Sequence, residues 1–217
     1  MSDLQKLLTW MSPAFPVGAF AWSAGLETAI VAGVVHDRQT TQEWIEGILR
    51  HGSLRTDAIF LAHAHRADGD SATLTDLTEL HLALTPALER HGETVTTGHA
   101  FSAAALAWTG SSSIDLPDPC PYPIAVGALA RANGVKLGAT LLAWLTATVH
   151  SQVSVAVRLV PIGQTDGLAI MAGMEPAIAA AAEWSEDAGL DDIGTIGYGA
   201  DIAQMQHETL PTRIFRS

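Results

Sequence analysis

From Leu137 to Val157 the chain carries no aspartate, glutamate, lysine or arginine. A run of that length without fixed charge must either cross a bilayer or lie at the centre of a protein core, and its polar content separates the two. Gly138, Thr140, Thr146, Thr148, His150, Ser151, Gln152 and Ser154 dilute it well below the apolar density of a membrane span. The run therefore predicts the central helix of a helical bundle. It closes in Arg158-Leu-Val-Pro-Ile-Gly-Gln-Thr-Asp-Gly167, where an arginine, a proline and two glycines bracket Gln164 and Asp166. A buried helix is expected to end there in a polar turn.

A central helix needs neighbours, and 217 residues with 48% hydrophobic side chains are enough for one well-buried core. Only 6% of residues are aromatic while alanine abounds, which suits helices that approach closely. The expected architecture is all-α, a single-domain bundle of about ten helices over residues 1–217. Leu4 to Trp10 forms a short first helix, and Ser12-Pro13 and Phe15-Pro16 break it. The apolar segment Pro16 to Trp22 feeds a helix of roughly ten residues that Gly33 closes. Thr40-Thr-Gln-Glu43 has the spacing of a capping box, opening a helix that Gly52 ends. Further helices are read over Leu54 to Ala67, stopping near Gly69, and over Thr73 to Leu84. Thr85-Pro86 reads as the N-cap and first position of a helix running to Trp108, whose glycines and threonines leave it dependent on tertiary packing. Gly110 to Pro123 is linker-like, with four prolines. Beyond it come Ile124 to Ala132, capped at Gly134, then Leu168 to Met174, Pro176 to Ala188, and a short helix near Ala200 to Gln206.

The composition excludes several functions. With 11 basic against 23 acidic residues the net charge is −12, which opposes binding to nucleic acid or anionic lipid. Cys120 is the only cysteine, so there is no internal disulfide and no cysteine-rich zinc site. Asp3 precedes the single Lys6, and Pro13 and Pro16 interrupt the apolar stretch, which is not the layout of a signal peptide; a cytoplasmic protein is expected. No nucleophile elbow, phosphate-cradling loop or His-Glu-x-x-His motif is present, and Cys120 has no adjoining helix terminus to activate it. His63 and His65 are two apart on a helix and point about 200° away from each other, so they read as solvated or capping. His91 and His99 lie two turns apart, about 12 Å along the axis, too far for one metal ion.

Two apolar features remain. Phe15, Phe20 and Trp22 read either as a loop plugged into the core or as a partner surface. The segment from His207 to Ser217 sets Ile214 and Phe215 among Arg213 and Arg216 in an otherwise acidic chain. It either docks back on its own domain or is bound by something else.

Pro13-Ala-Phe-Pro-Val-Gly-Ala-Phe-Ala-Trp-Ser-Ala-Gly-Leu-Glu27, Arg158 to Gly167, and His207-Glu-Thr-Leu-Pro-Thr-Arg-Ile-Phe-Arg-Ser217 together resemble the three signature segments of the UreF family of urease accessory proteins, in order and spacing. The resemblance implies an all-α, dimeric, non-enzymatic helper in urease maturation that needs no cofactor. It implies binding to a UreD-type protein (UreH in some systems), recruitment and regulation of the UreG-type GTPase, and nickel delivery to apo-urease. Carried onto this sequence, Arg158, Gln164 and Asp166 belong at or near a GTPase-facing dimer surface. Pro16, Gly18, Phe20 and Trp22 shape the adjoining interior or dimer region. His207, Glu208, Arg213, Phe215 and Arg216 belong to a tail that orders against the UreD-type partner. Ala19 stands where the family commonly has glycine, and Ala21 and Trp22 where it has serine and tyrosine, which removes turn freedom and hydroxyls from the loop. Two other classes are weighed: a direct nickel-binding metallochaperone using His63, His91, His99 or His207, and a hydrolase acting through His207 or Asp166.

Overall fold

A computed structural model describes residues 2–109, 114–194 and 196–217. The described residues form α-helices and no strand: α1 (Asp3–Trp10), α2 (Leu26–Val31), α3 (Arg38–His51), α4 (Ser53–Arg66), α5 (Ser71–Ala83), α6 (Leu88–Thr109), α7 (Tyr122–Ala132), α8 (Leu137–Leu159), α9 (Gln164–Asp187) and α10 (Tyr198–His207). Two 3-10 turns, Ala19–Ala21 and Leu190–Asp192, complete them. The protein is an all-α single domain, as its sequence predicts.

Small residues set the spacing at the centre. A Cβ on Gly127 of α7 would collide with the Leu61 carbonyl of α4, and one on Gly98 of α6 with the Cys120 carbonyl. The helices therefore meet backbone to backbone, and α7 is buried from Pro123 to Ala130. The charge-free run is α8, which packs along α9 and contributes Leu141, Trp144, Leu145, Val149 and Val153 to the main core. It is long and apolar enough to cross a membrane by length and composition alone, and half of the relevant window is buried inside the protein. A smaller cluster unites Leu26, Ala29, Val35, Val155, Ala156, Val160 and Phe215. The C-terminal segment is part of that cluster.

Several helix ends differ from the sequence reading. The cap of α3 is Asp37, whose Oδ1 accepts the Thr40 N–H at 2.8 Å while Thr40 Oγ1 accepts the Asp37 N–H at 3.1 Å. Thr40 is thus the third residue of the helix and not its cap, because an aspartate three residues upstream satisfies the same orphan donors. Thr85 does not cap α6; its hydroxyl donates to the His81 carbonyl at 2.8 Å and finishes α5. Helix α2 has six residues, since Ala24 and Gly25 both take positive φ immediately before it. The two helices expected after Gly167 are one, α9, which starts at Gln164 inside the expected turn and carries Pro176 in its interior. The carbonyl that Pro176 leaves without a donor belongs to the exposed Ala172, where water can serve it.

His63 and His65 neither face solvent freely nor cap their helix. His65 is buried with Nε2 at 2.8 Å from the Val135 carbonyl, and His63 Nε2 lies 3.2 Å from that of Ala188. Each ties α4 to a distant segment, and burial holds both rings below the ordinary histidine range. Of the linker-like stretch, Gly110 to Ser113 lie outside the described residues; Ile114 and Leu116 pack on the core and Cys120 is buried within it. Burial, with Asp118 nearby, pushes the Cys120 thiol up to about 12.

Candidate functional site

The segment between α1 and α2 is divided between core and surface. Phe15 and Trp22 are buried, whereas Phe20 is 72% exposed and Pro16 is also exposed. The reading of all three aromatic residues as core plugs thus fails at Phe20. Gly18 takes φ 74° at the entry to the 3-10 turn, a conformation that a side chain would strain. The turn presents Phe20 outward while Trp22 returns to the core.

Glu27, on the first turn of α2, is 3% exposed and organises the C-terminal segment. Its Oε1 accepts the Ile214 N–H at 2.8 Å, and its Oε2 accepts the Phe215 N–H at 3.0 Å and lies 3.0 Å from His207 Nε2. The other ring nitrogen of His207, Nδ1, lies 2.6 Å from Glu89 Oε2 of α6. An imidazolium has two N–H donors and satisfies both carboxylates, whereas a neutral ring would set a lone pair against one of them. Glu89 Oε1 also accepts from Arg213 Nη1 at 2.6 Å. Glu208 Oε1 accepts the Leu88 N–H at 3.0 Å and so serves one of the unsatisfied donors at the start of α6. Two carboxylates, one histidine and one arginine therefore clasp the tail to α2 and α6.

The end of the chain continues onto the loop. The Arg216 N–H donates to the Ala21 carbonyl at 2.8 Å, the Ser23 N–H donates to the Ser217 main-chain oxygen at 2.7 Å, and the Ser23 hydroxyl donates to the same oxygen. The Arg216 guanidinium lies 5.7 Å from the Trp22 ring centroid. Arg158, on the last turn of α8, stacks 4.4 Å above the Phe215 ring and reaches the Phe20 carbonyl at 3.5 Å. Loop, tail and the end of α8 thus form one assembly.

Gln164 and Asp166 stand apart from it. Gln164 is exposed at the start of α9. Asp166 Oδ2 accepts the Gly163 N–H at 3.3 Å, and Oδ1 lies 3.8 Å from Arg38 Nη1 in an exposed pair. Asp166 therefore caps α9 with one oxygen and faces Arg38 with the other. Within the tail, Arg213, Ile214 and Arg216 are exposed, while His207 and Phe215 are enclosed by the chain's own residues.

The residues that hold the tail, Glu27 and Glu89, carry no site role in the sequence reading. A carboxylate in a first helical turn reads as a favourable dipole contact. Nothing local marks either as a partner of residues more than a hundred positions away. Among the described residues no group of three His, Cys, Asp or Glu side chains is arranged to hold a metal ion.

The clasp has a pH sign. Burial pushes the Glu27 carboxyl up, but the bonds from His207, Ile214 and Phe215 outweigh it and hold the group below its ordinary value of 4.5. A depressed carboxylate contributes stability above its unfolded value and loses it as pH falls through the folded one. The Glu27 contribution to tail protection is therefore expected to decline as pH falls below 4.5. Amide exchange at Ile214 and Phe215 across a pH series, corrected for intrinsic rates, reads this directly. Unchanged protection well below that value would remove Glu27 as the clasp.

A family model described as UreF matches residues 35–175, from just before α3 into α9. A Urease accessory protein UreF from Agrobacterium fabrum (strain C58) is 47% identical over 217 residues, covering 100% of this chain and 97% of the relative. One from Rhodopseudomonas palustris (strain BisB5) is 44% identical over 223 residues, covering 100% and 92%. One from Rhizobium etli (strain CIAT 652) is 44% identical over 217 residues, covering 100% and 97%. The similarity to these relatives extends over the loop and the tail.

Proposed function

The chain belongs to the UreF family of urease accessory proteins, and from this membership we propose that it acts as a non-enzymatic adaptor in urease maturation. With a UreD/UreH-type partner it recruits and regulates a UreG-type GTPase, so that nickel reaches apo-urease. It works as a homodimer in the cytoplasm, with Arg158, Gln164 and Asp166 near the GTPase-facing surface.

One observation carries this reading: Arg158 joins the loop to the tail, through the Phe20 carbonyl and the Phe215 ring. A partner seated on the exposed tail residues Arg213, Ile214 and Arg216 stabilises the docked arrangement. It thereby holds Phe20 and Arg158 in place for a second partner. Only differential affinity for the docked form can do this, and the tail supplies it. His207 and Phe215 position the tail from within, and Pro16, Gly18, Phe20 and Trp22 shape the surface that it supports.

The test is co-purification with UreD-type and UreG-type proteins. A chain ending before Thr209 is expected to stay folded and lose the UreD-type partner. Gln164→Ala is expected to keep that partner and the dimer while weakening GTPase recruitment about tenfold, the scale of one buried polar contact. Retention of both partners by the shortened chain would overturn the assignment of the tail.

A further inference from the structure

Most arginines of this acidic protein are spent within the chain. Arg38, Arg50, Arg90, Arg131 and Arg213 each face a carboxylate. Arg55 and Arg66 donate to the main-chain carbonyls of Asp192 and Ala188. Arg158 and Arg216 differ: both are exposed, and among the described residues neither guanidinium meets a carboxylate, although the chain has 23 acidic residues. Arg158 makes one long hydrogen bond, 3.5 Å to the Phe20 carbonyl, and the Arg216 side chain makes none within the chain.

The two lie at one place. Arg158 stacks 4.4 Å above the Phe215 ring, against the loop at Phe20. The Arg216 backbone belongs to the tail and donates to the Ala21 carbonyl at 2.8 Å, but its guanidinium turns to the loop side, 5.7 Å from the Trp22 ring centroid. Phe20, the most exposed aromatic side chain of the loop at 72%, stands on the turn that both arginines hold. A guanidinium lying on an aromatic ring has its face occupied and its orientation fixed, so its N–H edge is left for an acceptor; a carboxylate matches that edge with two parallel hydrogen bonds.

We propose that this surface takes an acidic segment of a partner protein, one that sets carboxylates on Arg158 and Arg216 and an apolar side chain on Phe20. The proposal rests on the adaptor reading for the identity of that partner, the UreG-type GTPase, and adds the chemistry by which it is recognised. The net charge of −12 repels acidic partners over most of the surface. Only an approach that brings carboxylates within a Debye length of these two arginines gains attraction, so the same charges that admit the segment also fix its orientation. A nucleic acid or an anionic membrane, which must spread over a wide area, meets the repulsion in full.

The test uses the full chain in complex with a UreD-type protein, titrated with a UreG-type GTPase at about 50 and about 300 mM sodium chloride, between which the Debye length passes through about 10 Å. Arg158→Met keeps a side chain on the Phe215 ring without the charge, and slow trypsin cleavage after Arg213 verifies that the tail stays docked. It is expected to bind the GTPase about tenfold more weakly than the parent at the lower salt, the scale of one interfacial charge pair, with the gap narrowing at the higher salt. Arg216→Met, which removes no hydrogen bond within the chain, is expected to give the same reading should Arg158→Met release the tail. Phe20→Ser is expected to weaken binding by a similar factor at both salt concentrations, because an apolar contact is not screened. Parent affinity in both arginine variants, or a gap that salt does not change, overturns the proposal and leaves the adaptor reading standing. Absence of GTPase binding by the parent complex overturns the adaptor reading and this proposal with it.

Discussion

Glu27→Ala is expected to free residues 213–217 from the body of the protein while the helical core persists. The substitution removes the acceptors of two backbone N–H groups and one of the two carboxylates facing His207. Breaking a buried charged contact by deleting one partner costs about 3–5 kcal/mol, because the groups left behind are desolvated and unmatched. A short segment held by Glu27, Glu89 and the Ser23 contacts cannot absorb a loss of that size. Trypsin cleavage after Arg213, slow in the parent protein, should become rapid, and the amides of Ile214 and Phe215 should lose exchange protection. Glu27→Gln keeps an acceptor oxygen without the charge and should fall between the two. Cleavage of Glu27→Ala at the parent rate would show that Phe215 and its apolar neighbours hold the tail alone. If the adaptor reading is right, the same variant also loses its partners without loss of core stability.

Gly127→Ala should have the largest effect on the fold. Alanine improves helix propensity by about 1 kcal/mol in an exposed helix. At Gly127 the new methyl meets the Leu61 carbonyl and the His65 N–H, both backbone atoms of α4, so no rotamer change can relieve it. Separating α4 from α7 disturbs the most enclosed layer of the protein, and we expect a loss of at least about 3 kcal/mol. Against a total of about 5–15 kcal/mol for a domain, this is a substantial fraction. Gly47→Ala is the control: it lies in α3 with nothing within 4 Å of its added Cβ, and should be neutral or stabilising. A urea midpoint for Gly127→Ala within the range of the Gly47→Ala control would refute the close approach of α4 and α7.

The legible parts of this protein are those where local chemistry has no competitor. The charge-free run could satisfy its backbone only as a helix and its side chains only in a core, and α8 spans it. Gly52, Gly69 and Gly134 mark chain turns that the sequence reading places within a residue or two. Where two residues compete for one role, the pattern alone did not choose between them. Asp37, three residues upstream, displaced Thr40 as the cap of α3, and Glu208, distant in the chain, reached the first turn of α6 where Thr85 was expected to serve. Pro176 was read as a helix start, yet α9 runs through it because α8 and α3 pack against its length.

Residue order alone determined the helical class, the central helix, the absence of a recognisable catalytic motif and the three segments that carry the family resemblance. Helical period, charge and turn chemistry are properties of neighbours along the chain. Only the tertiary structure decided that Glu27 and Glu89 hold His207 and the tail, that Arg158 spans Phe20 and Phe215, and that Phe20 faces solvent while Phe15 and Trp22 do not. The physical reason is distance along the chain. A carboxylate on a helix becomes a clasp only when folding brings to it donors from more than a hundred residues away and removes the water that would otherwise serve them.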